Sequence, residues 1–135
     1  MERIFNQYVI STDKTLLSID IVQDFLARSY WANKRPPEVI KKSIENSICF
    51  GIYEEKNQVG FARVVTDYAT VFWIADVFID ERHRGQGLGK ELVRSILETE
   101  AVQGLLGILM TSDAHGLYEQ FGFITVPDKA MVRRP

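Results

Sequence analysis

The chain has 135 residues, of which 46% are apolar and 25% charged, with a formal net charge of −2. This length favours a single domain, 1–135, with one sizeable core. The near-neutral balance gives no global field toward nucleic acid or an acidic membrane surface, so neither is expected as a partner. The one cysteine, Cys49, cannot close an internal disulfide, and no Cys/His cluster has zinc spacing. No apolar run approaches the ~18 residues of a membrane span, and no basic-then-apolar leader pattern opens the chain. A cytoplasmic, metal-free protein is the expectation.

Taken in order, residues 8–12 read as a first strand. Residues 18–29 carry Ile21, Val22, Phe25 and Leu26 at helical spacing, with Ser18 placed as N-cap. Pro36 and Pro37 then break one helix and open a second over 37–46. Residues 47–54, 58–67 and 71–79 are rich in β-branched and aromatic side chains. Their short connections predict an antiparallel meander. The run Val71 to Ile79 is nearly all apolar, as in a strand covered on both faces, with Asp76 as the exception. Gly87 to Glu98 is a periodic helix, and 104–111 reads as another buried strand. Strand, helix, strand with no room for a hairpin predicts a right-handed parallel crossover. A short helix over 113–121, stopped by Gly122, and a last strand over 123–126 complete a mixed α/β (α+β) domain.

The strongest local signal is Asp80-Glu81-Arg82-His83-Arg84-Gly85-Gln86-Gly87-Leu88-Gly89-Lys90, which leaves a central strand and enters a helix. Helix N-termini present unpaired N–H groups, and glycines let backbone approach an anion closely. A Walker A loop fails here, because Arg84 stands where its first glycine belongs and Glu91 where its hydroxyl belongs. A Rossmann fingerprint has the wrong glycine spacing, and a meander precedes the loop. Arg84, Gly87 and Gly89 instead match Arg/Gln-x-x-Gly-x-Gly/Ala at a strand-to-helix turn. About thirty residues on, Leu117-Tyr118-Glu119-Gln120-Phe121-Gly122-Phe123 matches a Leu/Phe-Tyr-x-x-x-Gly-Phe signature.

With the element order over residues 8–126, these two motifs resemble the GNAT superfamily of N-acetyltransferases, and the fold expected is the GNAT mixed sheet. One departure is Ser112, where many members carry Asn six residues before the tyrosine; it marks a subgroup with an Asp113-Ala114-His115-Gly116-Leu117-Tyr118 segment. The resemblance implies acetyl-coenzyme A as cosubstrate and transfer of its acetyl group to the amine of a small molecule or protein. It places the cofactor against Arg84, Gly85, Gln86, Gly87, Leu88, Gly89 and Lys90, and against the backbone of Val77, Phe78 and Ile79. The strands 71–79 and 104–111 would splay around the pantetheine arm. An N–H near Val77 or Phe78 would polarise the thioester carbonyl.

Tyr118 is the candidate acid for the departing thiolate. Asp76 is the first candidate base, because a carboxylate in an apolar strand is expected to have a raised pKa; a structural aspartate satisfied by backbone is the alternative. Asp67, Asp113 and His115 are weaker candidates. Tyr30 and Trp31, beside Lys34 and Arg35, fall where members of the family build the acceptor pocket, and Asp67 is assigned to the substrate side with them. A non-catalytic acyl-coenzyme A sensor with the same fold is the competing function. Either a monomer or a homodimer fits the sequence.

Overall fold

Short polar connections force neighbouring β-type runs to pair as hairpins, and the computed structural model, which describes residues 1–135, has the sheet this predicts. Its six strands are β1 (Glu2–Phe5), β2 (Tyr8–Ser11), β3 (Ile48–Glu54), β4 (Asn57–Thr66), β5 (Val71–Ile79) and β6 (Leu106–Ile108). They lie in sequence order across the sheet. Every pairing is antiparallel except β5 with β6, which is parallel. The crossover between those two carries helix α3 (Leu88–Glu98).

Helices α1 (Ile19–Ala27) and α2 (Pro37–Glu45) cover one face of the sheet. Ser18 caps α1 by accepting from the Ile21 N–H, and Pro37 opens α2. The apolar stripes of α1 and α2 close a core of Val22, Phe25, Leu26, Ile40 and Ile44 against Cys49, Phe61 and Phe78. On the other face, Leu88, Leu92 and Ile96 of α3 pack on Tyr8, Ile10, Phe50, Ile52, Phe72 and Ile74. Burial raises the Cys49 thiol to about 11, so at neutral pH it is a protonated core residue.

Four features differ from the sequence expectation. The N-terminus forms the extra strand β1, joined to β2 by a tight turn with Asn6 at φ 53°, and Arg3 ties it to Glu91 and Glu98 of α3. The strand expected over 104–111 is only Leu106–Ile108, because its ladder with β5 stops at Trp73↔Ile108. Residues 123–126 form no strand; a strand needs a paired neighbour, and none is supplied there. The helix expected over 113–121 is α4, His115–Glu119.

A bulge breaks β5. Arg63 pairs with Ala75 and Phe61 with Phe78, so Ala62 alone opposes Asp76 and Val77. Asp76 sits at φ 54° inside the strand. The facing of the side chains changes there. Phe72 and Ile74 belong to the α3-side core, and after the bulge Val77 and Ile79 take that side. Phe78 joins the α1–α2 core.

Leu92 has no exposed surface in the α3-side core. Leu92→Ala should lower unfolding stability by about 2–5 kcal/mol. Urea melts of both proteins check this, with the midpoint falling at an unchanged slope.

Candidate active site

Where the β5–β6 ladder ends, a cleft of about 530 Å³ opens beside the N-terminus of α3. Val77, Phe78 and Ile79 line it from β5. Arg84, Gly85, Gly87, Leu88 and Gly89 line it from the loop and first turn of α3. Asp113, Ala114, Leu117 and Tyr118 come from α4 and the segment before it. Arg28, Ser29, Tyr30 and Trp31 close it from the end of α1.

The loop geometry suits an anion. Gly85 and Gly87 have φ of 80° and 81°, a left-handed conformation that glycine adopts without cost. Gly87 is the N-cap of α3 and its carbonyl accepts the first helical bond, from Glu91. The N–H groups of the first turn, Leu88 to Lys90, therefore have no intrahelical acceptor and carry the positive end of the helix dipole. The Arg84 Nε donates to the Ile79 carbonyl at 2.9 Å, and its guanidinium lies 5.1 Å from the centre of the Phe78 ring. Arg28 stands 5.5 Å from the same ring and bonds Glu81 and Asp24. The cleft floor is thus aromatic, with two guanidinium groups beside it.

Tyr118 is 7% exposed, and its ring meets Phe123 edge-on at 5.9 Å. Burial, helped by Tyr30 and Asp113, raises its phenol to about 12. At neutral pH it is a firm hydrogen-bond donor. The Tyr30 hydroxyl accepts from the Ser112 N–H at 3.0 Å, so the end of α1 reaches across to the segment after β6.

Asp76 departs from expectation. Its carboxylate accepts from Arg63 Nε at 2.7 Å, Arg35 Nη1 at 2.8 Å and Trp31 Nε1 at 2.9 Å. Burial alone would raise its pKa, but the two arginines outweigh it and hold the carboxylate below its ordinary value. An ionised, enclosed carboxylate bonded to cations is a poor proton acceptor, which removes the ground on which Asp76 was expected to act as a base. Asp67 lies outside the cleft, in the β4–β5 turn, where it accepts from the N–H groups of Ala69, Thr70 and Val71 and from the Thr70 hydroxyl. Those four bonds give it a local turn-building role. Gln86 turns away toward β2 and accepts from the Tyr8 hydroxyl, and neither it nor the Lys90 side chain lines the cleft.

A family model for the acetyltransferase (GNAT) domain matches residues 45–125. This chain belongs to the GNAT acetyltransferase family. A crystal structure of a GNAT-family protein from Xanthomonas campestris pv. campestris is 39% identical to it, with a TM-score of 0.90 over 95% of this chain and 93% of that one. FG08082 of Gibberella zeae is 32% identical over 117 residues, 72% of this chain. The uncharacterized N-acetyltransferase ycf52 of Gracilaria tenuistipitata var. liui is 33% identical over 102 residues, 70% of this chain. The chain spans 65% and 56% of the lengths of these two curated relatives.

Within this GNAT domain the cleft gathers Tyr30, Trp31, Val77 to Ile79, Arg84, Gly85, Gly87 to Gly89 and Tyr118, all anticipated from sequence. Arg28, Ser29 and Ala114 were not anticipated. Arg28 follows the last apolar residues of α1, and that position beside an aromatic pair was the available signal.

Asp80 is likewise held low, at about 2, by side-chain bonds from Arg82 and despite burial. Depressed carboxylates stabilise the fold fully above their unfolded value of ~3.9, and that contribution is lost as pH falls through the folded value. Thermal melts between pH 5 and pH 2 should therefore show a steep loss of stability below about pH 4. Asp80→Asn should be less stable at pH 5 and show a shallower loss.

Proposed function

We propose that this GNAT domain is an N-acetyltransferase that uses acetyl-coenzyme A as donor and an amine of a small molecule or protein as acceptor, in the cytoplasm and without a metal. The observation that carries the reading is convergence. One cleft joins an anion-binding helix N-terminus, a stretch of β5 backbone with no ladder on its β6 side and a buried phenol. The residues fit the cofactor: left-handed glycines and free N–H groups suit a pyrophosphate, and Arg84 adds charge.

Bound acetyl-coenzyme A supplies a thioester, an activated acyl group. The chain's own residues then have distinct tasks. The Phe78 N–H faces β4 in the antiparallel register, which leaves the Val77 N–H on the cleft side as the group that would donate to the carbonyl oxygen, where negative charge develops. Tyr30 and Trp31 wall the side from which the amine enters. The new N–C bond forms as the C–S bond breaks, and the surplus amine proton leaves through water. Tyr118 donates a hydrogen bond to the leaving sulfur. A phenol at about 12 holds its proton more tightly than a thiol near ~8.5. Tyr118 therefore stabilises the thiolate as a donor, and the thiol's final proton comes from the amine by way of solvent.

Acetyl-coenzyme A at saturating concentration should raise the melting temperature, while ATP and NAD should not. No shift with the acetyl cofactor would sink the reading. With an acceptor found by screening amines for thiol release, Tyr118→Phe should keep the cofactor-induced shift and lose about 100-fold in turnover. Unchanged turnover would remove Tyr118 from the chemistry.

A further inference from the structure

We propose that Asp76 is a positioning residue, whose clamped carboxylate fixes the β5 bulge and so sets the Val77 backbone toward the cleft while tying it to the acceptor-side loop. This inference rests on the reading of the cleft as an acetyl-coenzyme A site.

The bulge is a strained feature. A non-glycine residue at φ 54° in the middle of a nine-residue strand needs surroundings that over-determine it. Aspartate tolerates this conformation better than the apolar residues around it. The surroundings are three donors from two elements. Arg63 belongs to the paired strand β4 and is itself braced by donating to Ser47 Oγ at 3.1 Å. Arg35 and Trp31 belong to the connection between α1 and α2. Their donors meet a side chain only 2% exposed. Three charge-assisted or indole N–H bonds to one carboxylate make a rigid joint.

The joint lies next to the cleft and does not enter it. Asp76 is absent from the lining, yet the residue after it, Val77, lines the cleft. Trp31 does both jobs. Its ring lines the cleft while its Nε1 holds Asp76. Its neighbour Tyr30 holds the opposite bank through the Ser112 N–H. The connection that would meet the acceptor therefore spans both banks, and through Asp76 it bears on the backbone proposed to polarise the carbonyl.

The test is isotope-edited infrared spectroscopy of acetyl-coenzyme A labelled with ¹³C at the acetyl carbonyl, bound to the full chain. A hydrogen bond from the Val77 region lowers the carbonyl stretch in the wild type. Asp76→Asn and Arg35→Gln should each lose at least half of that lowering, while affinity for coenzyme A itself stays within about threefold. Arg35→Lys, which keeps a charged donor, should retain most of it. If Asp76→Asn does not fold, Arg35→Gln and Arg35→Lys carry the comparison. A wild-type band left in place in the variants overturns the clamp alone. Loss of coenzyme A affinity in step with the band overturns it too, by showing general disruption. No binding of acetyl-coenzyme A to the wild type overturns the cofactor reading beneath it.

Discussion

The architecture turns on one constraint, which is that β5 must belong to the sheet and also leave part of itself open. It pairs with β6 in parallel as far as Trp73 and with β4 in regular antiparallel register as far as Ala75. Asp76 then takes a left-handed conformation, an extra residue enters, and the side chains exchange faces. Beyond Trp73 the β6 side carries no ladder, so the stretch Val77 to Ile79 borders a cleft. An unpaired backbone of this kind is costly when buried dry. It persists because β4 still pairs with its other edge, and because Arg63, Arg35 and Trp31 anchor the bulge.

The other cleft elements depend on that opening. Asp80 ends the strand by donating its N–H to the Val59 carbonyl and capping the turn at Arg82. The chain then reaches Gly85 and Gly87, and α3 starts with its free N–H groups at the cleft mouth. The apolar stripe of α3 is buried deeply enough that the direction of its N-terminus is set by packing. The same packing brings α4 alongside, where the Leu117 side chain approaches Gly89 and Tyr118 reaches the cleft. Charge is arranged with economy: Arg28 and Arg84 flank the Phe78 ring at the cleft, and Arg35 and Arg63 are held back on Asp76.

What could be read from the sequence was whatever local chemistry determines. The glycine loop after β5, the later Tyr118 segment and the element order together carry the resemblance to the GNAT family, and that resemblance assigned Arg84, Gly85, Gly87 and Gly89 to the cofactor. The meander followed from short turns, and α3 from an unbroken apolar stripe. The expectations that failed depend on long-range partners. Asp76 in an apolar run looked like a desolvated carboxylate, because nothing local says that Arg35, Arg63 and Trp31 converge on it from up to 45 residues away. Residues 123–126 have strand composition, yet composition does not supply an edge to pair with. β1 was missed for the opposite reason: four residues alternating between exposed and half-buried carry little apolar signal, and Arg3 is held by Glu91 from 88 residues away. Gln86 sits inside the motif, but its side chain is claimed by Tyr8.

The central claim is that coenzyme A lies between β5 and the first turn of α3. An amide ¹H–¹⁵N correlation spectrum titrated with acetyl-coenzyme A tests it most directly, since it reports the backbone groups said to hold the cofactor. The largest shifts should fall on Gly85 to Gly89 and on Val77 to Ile79, with Tyr118 and its neighbours next. Shifts centred instead on the polar hollow around Glu54, Asp80, Arg82 and His83, or no shifts at saturating cofactor, would contradict it.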